Sequence, residues 1–181
     1  HFIKLGCEFI VCDFRGYGRS DGVPTLKSSL KDASTIYYYL RDNKFLKKNV
    51  CVMGRSLGSA SAIELCSRVS EVTCCIIESG YADPIPLVER RGLNITNITS
   101  VEIALFSNSE KMRLVKCPIL IMHGEMDSLI SPREANLNYK NASSTHKKLA
   151  ILEEVGHNDI MMARDNAYFL CMSSFFSQVF R

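Results

Sequence analysis

Five short apolar runs alternating with segments of helical spacing predict a parallel α/β sheet with helices on both faces. The runs Glu8–Phe14, Val50–Met53, Val72–Glu78, Pro118–Met122 and Lys148–Leu152 are rich in Val, Ile, Leu and Cys. Each is nearly continuous in apolar character, as a strand covered on both sides must be. The chain has 181 residues, 46% hydrophobic and 23% charged, which suits one globular domain over 1–181 with a sizeable core.

The helices follow from spacing. Leu26–Asn43 places Leu30, Ala33, Ile36, Tyr37 and Leu40 on one face. Leu57–Val69 and Pro132–Asn141 are also helical in pattern, the second with proline in its first turn. From Asn158 to Phe180 the apolar positions Ile160, Ala163, Ala167, Leu170, Phe175 and Val179 predict one long closing helix. Tyr81–Val115 is the irregular interval, with D-P-I-P, the N-I-T-N-I-T repeat and a possible helix near Ser100–Phe106. A loop that long is often functional, so a lid or cap is expected over about 83–115.

Several function classes fall away on composition. Lys plus Arg number 22 against 19 acids, and a net charge of +3 gives no footprint for nucleic acid. No run of 18 apolar residues exists, so no transmembrane segment is expected. Of the eight cysteines, Cys12, Cys51, Cys74 and Cys75 lie inside apolar runs, where a reduced thiol acts as a small hydrophobe. There is no C-x-x-C and no zinc spacing, so the cysteines read as free thiols in a reducing cytoplasm. Sequons at Asn94, Asn97 and Asn141 matter only in a secreted chain.

The chemistry centres on G-R-S-L-G at 54–58. A serine hydroxyl becomes a nucleophile only when exposed, held and offered a base. A sharp strand-to-helix turn exposes Ser56, and it crowds the positions two before and two after, Gly54 and Gly58. The following helix aims its free N–H groups at developing negative charge, with Leu57 N–H as an oxyanion donor. Ser59, Ala60, Ser61 and Ala62 are small enough to let that helix approach the sheet.

Such an elbow calls for an acid and then a histidine, each after its own strand. His157, in E-E-V-G-H-N-D, follows the last strand after a loop glycine and is the candidate base. His123 reads as structural and bonded to backbone, His146 as solvated, and His1 stands at the first position. Asp127, in H-G-E-M-D-S-L-I-S-P, is the candidate acid, ahead of Glu125 and of Asp159, which reads as a cap for the final helix.

These motifs together resemble the α/β-hydrolase superfamily over nearly the whole chain. D-F-R-G-Y-G-R-S-D-G at 13–22 is similar to the loop before the nucleophile strand, and G-R-S-L-G to the elbow. H-G-E-M-D at 123–127 is similar to the acid loop and G-H-N-D-I at 156–160 to the histidine loop. Among subgroups, the chain looks most like small serine hydrolases related to depalmitoylases and serine aminopeptidases. Pro132 follows Asp127 at a longer distance than the usual family spacing.

The resemblance also implies two or three earlier strands and an H-G loop carrying a second oxyanion donor. Residues 1–181 are therefore expected to be part of a longer protein. Alone, the chain would present Glu8–Phe14 as an apolar edge and be poorly soluble. Its hole would keep one donor, and losing one of two costs about 2.7–4 kcal/mol. A backbone N–H of the Arg15–Gly18 loop is the candidate substitute.

The function implied is a serine hydrolase that cleaves an ester or thioester through an acyl-enzyme, with no cofactor and no metal. Its substrate would be a small or acylated molecule. The apolar positions Leu87, Val88, Leu93, Ile95, Ile98, Ile103, Leu105 and Phe106 would line an acyl channel or, more simply, pack as helices. Two alternatives are a peptidase, in which Arg90-Arg91 reads a carboxylate, and a non-enzymatic binding protein on the same scaffold.

Overall fold

The computed structural model describes residues 2–90, 92 and 99–180. Its centre is a four-stranded, wholly parallel sheet in the order β1-β2-β3-β4. The strands are β1 (Cys51–Arg55), β2 (Cys74–Glu78), β3 (Ile119–Gly124) and β4 (Lys147–Leu152). Sequence order equals spatial order, so each strand joins its neighbour through a helical crossover.

Alternate residues of the central strands feed two cores. Cys75, Ile77, Ile119 and Ile121 face one side. There they pack with Ile63 and Cys66 of α2 (Gly58–Arg68), Met112 of α5 (Asn108–Met112), Ala135 of α6 (Pro132–Asn141) and Tyr37 of α1 (Leu26–Asp42). Cys74, Ile76, Leu120 and Met122 face the other, under Tyr168, Met172, Phe175 and Phe176 of α7 (Ala167–Val179). The period of two within β2 and β3 thus supplies both layers, and the sheet is covered on both faces as expected.

Local chemistry sets several boundaries. Thr25 caps α1 through a reciprocal capping box with Ser28, and Ser131 caps α6 with proline in its first turn. Tyr81–Val115 contains α3 (Pro84–Glu89), α4 (Ser100–Phe106) and α5, and no strand among its described residues. Leu87, Leu105 and Phe106 pack with Leu30, Ala60, Tyr81 and Ile130. Leu93, Ile95 and Ile98, and the sequons at Asn94 and Asn97, lie outside the described residues. Asn141 ends α6 and turns its amide onto the Leu137 carbonyl at 2.9 Å. All eight cysteines are unbridged.

Two expectations are corrected. Glu8–Phe14 joins no strand of the sheet, and Val11 is 88% exposed. Apolar composition is only half of a strand; a neighbouring backbone must also take its N–H and C=O groups. The closing helix does not run from Asn158. Short 3-10 turns at Ile160–Met162 and Arg164–Asn166 precede α7, because Asp165 and Asn166 adopt left-handed φ values of 54° and 59°. Asn and Asp tolerate that conformation better than other side chains, and it ends helical propagation.

Gly54 and Gly58 also prove unequal. A Cβ at Gly54 would lie 2.5 Å from the Gly58 carbonyl oxygen and 2.6 Å from Ala62 Cβ, whereas one at Gly58 would touch nothing within 4 Å. Only the first glycine is sterically required. Gly54→Ala should therefore cost about 1–3 kcal/mol in urea unfolding. Gly58→Ala should be neutral or stabilise by up to about 1 kcal/mol; equal effects of the two substitutions would contradict this contact.

Candidate active site

The tight packing at Gly54 turns the chain sharply after β1. Ser56 takes a left-handed φ of 53° and stands between β1 and α2, while its N–H donates to the Glu78 carbonyl at 2.9 Å. That bond extends the β1–β2 ladder one residue past the strand and fixes the serine main chain. Ser59 and Ala60 behind it are fully buried, so α2 lies close against the sheet. Leu57 begins the helical turn, and its N–H, like others at a helix start, has no intrahelical acceptor.

The histidine and acid arrive from the ends of β4 and β3. Asp127 Oδ1 accepts the N–H groups of Leu129 at 2.9 Å and Ile130 at 2.8 Å, an Asx turn that fixes the carboxylate. Its Oδ2 lies 2.7 Å from His157 Nδ1, and His157 Nε2 lies 2.9 Å from Ser56 Oγ. A buried carboxylate accepts, so Nδ1 carries the ring proton and Nε2 offers its lone pair to the serine hydroxyl. The three residues read from the sequence are thus brought into one hydrogen-bonded chain.

The rejected carboxylates sit elsewhere. Glu125 is exposed and reaches the Glu154 N–H at 3.4 Å. Asp159 accepts the Gly156 N–H at 2.7 Å and makes no helix-cap bond, so it closes the histidine loop backward and leaves the final helix uncapped by its side chain. Gly124 matters here too: a Cβ would come within 2.5 Å of the Val155 carbonyl oxygen, so only glycine lets the acid and histidine loops meet.

Supporting groups surround the three residues, and His123 is bonded to backbone as its sequence position suggested. His123 accepts nothing on Nε2; that nitrogen faces the Ile130 carbonyl at 2.8 Å and must carry hydrogen. The same N–H lies 3.1 Å from Asp127 Oδ2, so the carboxylate oxygen shared with His157 also meets His123. Burial pushes the His123 imidazole below the usual histidine value, so its ring is neutral and this contact is not an ion pair. Arg55, Glu78 and Tyr168 form a second network beside Ser56 and His157. No spacing rule could have found the Arg55–Glu78 pair, which depends on strand register.

The loop at 15–18 does not supply a ready second donor at three of its positions. The N–H of Arg15 bonds Asp32, that of Gly16 bonds Ser20 and Asp21, and that of Tyr17 bonds Phe14. Arg90, half of the expected carboxylate reader, is committed to Glu134 at 3.0 Å and to the Pro86 carbonyl; Arg91 lies outside the described residues. A cavity of about 380 Å³ opens on the donor side of the elbow, with Phe14, Tyr17, Pro24, Leu26, Leu57 and Gly58 in its lining.

Known proteins share the fold. A family profile described as serine aminopeptidase S33 matches residues 86–162. Protein bem46 of Schizosaccharomyces pombe is 28% identical over 183 residues, covering 98% of this chain and 60% of that protein. Human α/β hydrolase domain-containing protein 17B is 28% identical over 158 residues, covering 87% and 52%. The Pyrococcus furiosus esterase Pf2001 superposes with a TM-score of 0.72 over 92% of this chain and 69% of that one, at 17% identity. The chain has the α/β-hydrolase fold. It spans about half the length of the curated relatives it matches. In this hydrolase fold the four parallel strands deliver Ser56, Asp127 and His157 from the ends of β1, β3 and β4, the edge where α/β sheets bind their ligands.

His123 gives the hydrolase fold a pH signature. Its neutral ring suits the folded state, while the unfolded chain binds the proton near the ordinary value of 6.5. This group's contribution is full above about pH 6.5 and is lost as pH falls through its lower folded value. The melting temperature should fall from pH 7.5 to 5, and less steeply in His123→Gln. An unchanged slope would show that another group governs the transition.

Proposed function

We propose that the protein is a serine hydrolase that cleaves a carboxylic ester or thioester through an acyl-enzyme. The reading rests on one observation, the unbroken chain from Ser56 Oγ to His157 Nε2 at 2.9 Å and from His157 Nδ1 to Asp127 Oδ2 at 2.7 Å.

Ser56 Oγ attacks the carbonyl carbon as its proton passes to His157 Nε2. The carbonyl π pair moves onto oxygen, and Leu57 N–H is placed to donate to that oxyanion. Asp127 stays ionised and stabilises the imidazolium. Collapse of the tetrahedral adduct breaks the bond to the alcohol or thiol, which takes the proton from His157 Nε2. Water then attacks the acyl-serine, giving its proton to the same nitrogen, and Ser56 leaves as the free hydroxyl while the acid is released. Protons and electron pairs balance over the two steps without a change of oxidation state.

The cavity beside Leu57 has the volume of a small-molecule pocket and a largely apolar lining, which favours an acylated substrate. Residues 83–115 are proposed as a lid segment, with α4 as its most exposed helix. The description of the matching profile keeps amide cleavage as a second reading, with the same three residues in the same roles. A reducing, cytoplasmic setting is proposed from the unbridged cysteines, several of them in the core.

A fluorophosphonate probe should label the intact protein at Ser56 and fail to label Ser56→Ala, whose fold should persist. Labelling of another serine would overturn the assignment. Asp127→Asn should lower kcat by about 10⁴-fold, as expected when the imidazole tautomer is no longer held, whereas Glu125→Gln should stay within a few-fold. Activity of Asp127→Asn near wild type would remove Asp127 from the mechanism.

A further inference from the structure

We propose that Arg55 is a positioning residue that holds the His157 loop over Ser56, and that buried Glu78 and Tyr168 form its mount. This rests on the reading of Ser56 and His157 as nucleophile and base.

Arg55 is the residue immediately before Ser56, and its side chain is 41% exposed. A surface arginine can be satisfied by water, yet this one is engaged by three protein acceptors. Its Nε–H donates to Glu78 Oε1 at 2.9 Å. Its Nη2 donates to the His157 carbonyl at 2.7 Å and to Asn158 Oδ1 at 3.1 Å. The fork of the guanidinium thus spans from the sheet to the histidine loop, a reach for which a rigid planar donor is suited.

The mount is built to keep that fork still. Glu78 is 1% exposed, and Arg55 and Glu78 are register partners across β1 and β2. The second carboxylate oxygen accepts the Tyr168 hydroxyl at 2.6 Å. Burial, and the carboxylate beside it, push the Tyr168 phenol up, so it remains a donor. The Glu78 backbone carbonyl meanwhile accepts the Ser56 N–H. One residue therefore fixes the main chain of Ser56 and the side chain that holds the main chain of His157.

Asp127 restrains only the ring of His157, through Nδ1. Arg55 restrains the backbone of the same residue through its carbonyl. A ring held at one atom can still pivot about that hydrogen bond; adding a backbone anchor removes the pivot and keeps Nε2 on Ser56 Oγ. Small misplacements of a catalytic group carry large rate penalties, up to about 10²-fold for roughly 1 Å.

The competing account is that Arg55 only neutralises Glu78. Arg55→Lys separates the two. It keeps a cation beside Glu78, but a single ammonium on a shorter fork does not serve both the carboxylate and the His157 carbonyl in the same geometry. In the intact protein, kcat of Arg55→Lys should fall about 10-fold or more with KM within about 3-fold, and the melting temperature should stay near wild type. Wild-type kcat in Arg55→Lys would overturn the positioning role. Because Arg55→Met alone strands a buried carboxylate, it is paired with Glu78→Gln, which keeps an acceptor for Tyr168. This double variant should fold, still label at Ser56 with fluorophosphonate, and react about 10- to 100-fold more slowly; an unchanged labelling rate would also overturn the proposal. Proton NMR supplies a readout independent of turnover. The low-field Nδ1–H signal of His157 should be sharp in wild type and broadened or lost in both variants, and a signal that is unaltered refutes the anchor. If wild type itself resists labelling at Ser56, the serine-hydrolase reading fails, while the NMR comparison still decides whether Arg55 holds the loop.

Discussion

Between β1 and α2 there is no space for a methyl group at residue 54, and the rest of the site depends on that contact. The helix sits against the strand tip, so the connection must turn within Ser56 and Leu57, and the serine is driven into a left-handed conformation. Strained backbone of this kind persists only when surrounding bonds over-determine it. Here the ladder bond to Glu78 and the burial of Ser59 and Ala60 do so. The same closeness places the start of α2, with its outward N–H groups, beside the serine hydroxyl. Gly124 repeats the device two strands away, where the acid and histidine loops cross.

The electrostatics follow from how completely each polar group is occupied. Asp127 meets two backbone N–H groups on one oxygen and two imidazoles on the other. A carboxylate so surrounded has little freedom to rotate, and a buried one could not stay charged without such partners. Neutral His123 contributes a donor without adding a competing charge. Glu78 is satisfied similarly, by Arg55 on one side and Tyr168 on the other. Of the two buried carboxylates, one acts on the ring of His157 and the other, through Arg55, on its main chain.

Much of this was legible in the sequence where local rules govern. The helical spacing at 26–43, Pro132 in a first turn, and the apolar runs at 50–53, 72–78, 118–122 and 148–152 lead to the helices and strands observed. Ser56, Asp127 and His157 could be singled out because each motif follows a strand end, and strand ends of a parallel sheet share one edge. What failed was non-local or conformational. Glu8–Phe14 has strand composition but no paired backbone, and Asp165–Asn166 breaks an apolar period through φ values that periodicity does not encode. Arg55 and Glu78 are 23 residues apart and meet only through the β1–β2 register. His123 was readable as a backbone-bonded histidine, but its contact with Asp127 needs the turn at 127–130 to be formed first.

The serine and histidine that meet at 2.9 Å are separated by 101 residues of chain. Closing a loop of that length carries an entropic cost that only the full set of strand pairings offsets. Local pieces such as α1 or the β1–α2 turn can form early, but the Ser56–His157 contact must wait until β4 has docked beside β3. On the proposed mechanism, reactivity at the serine is therefore a measure of folding to completion: a collapsed intermediate with native helices and an unplaced β4 would carry Ser56, Asp127 and His157 without their contact.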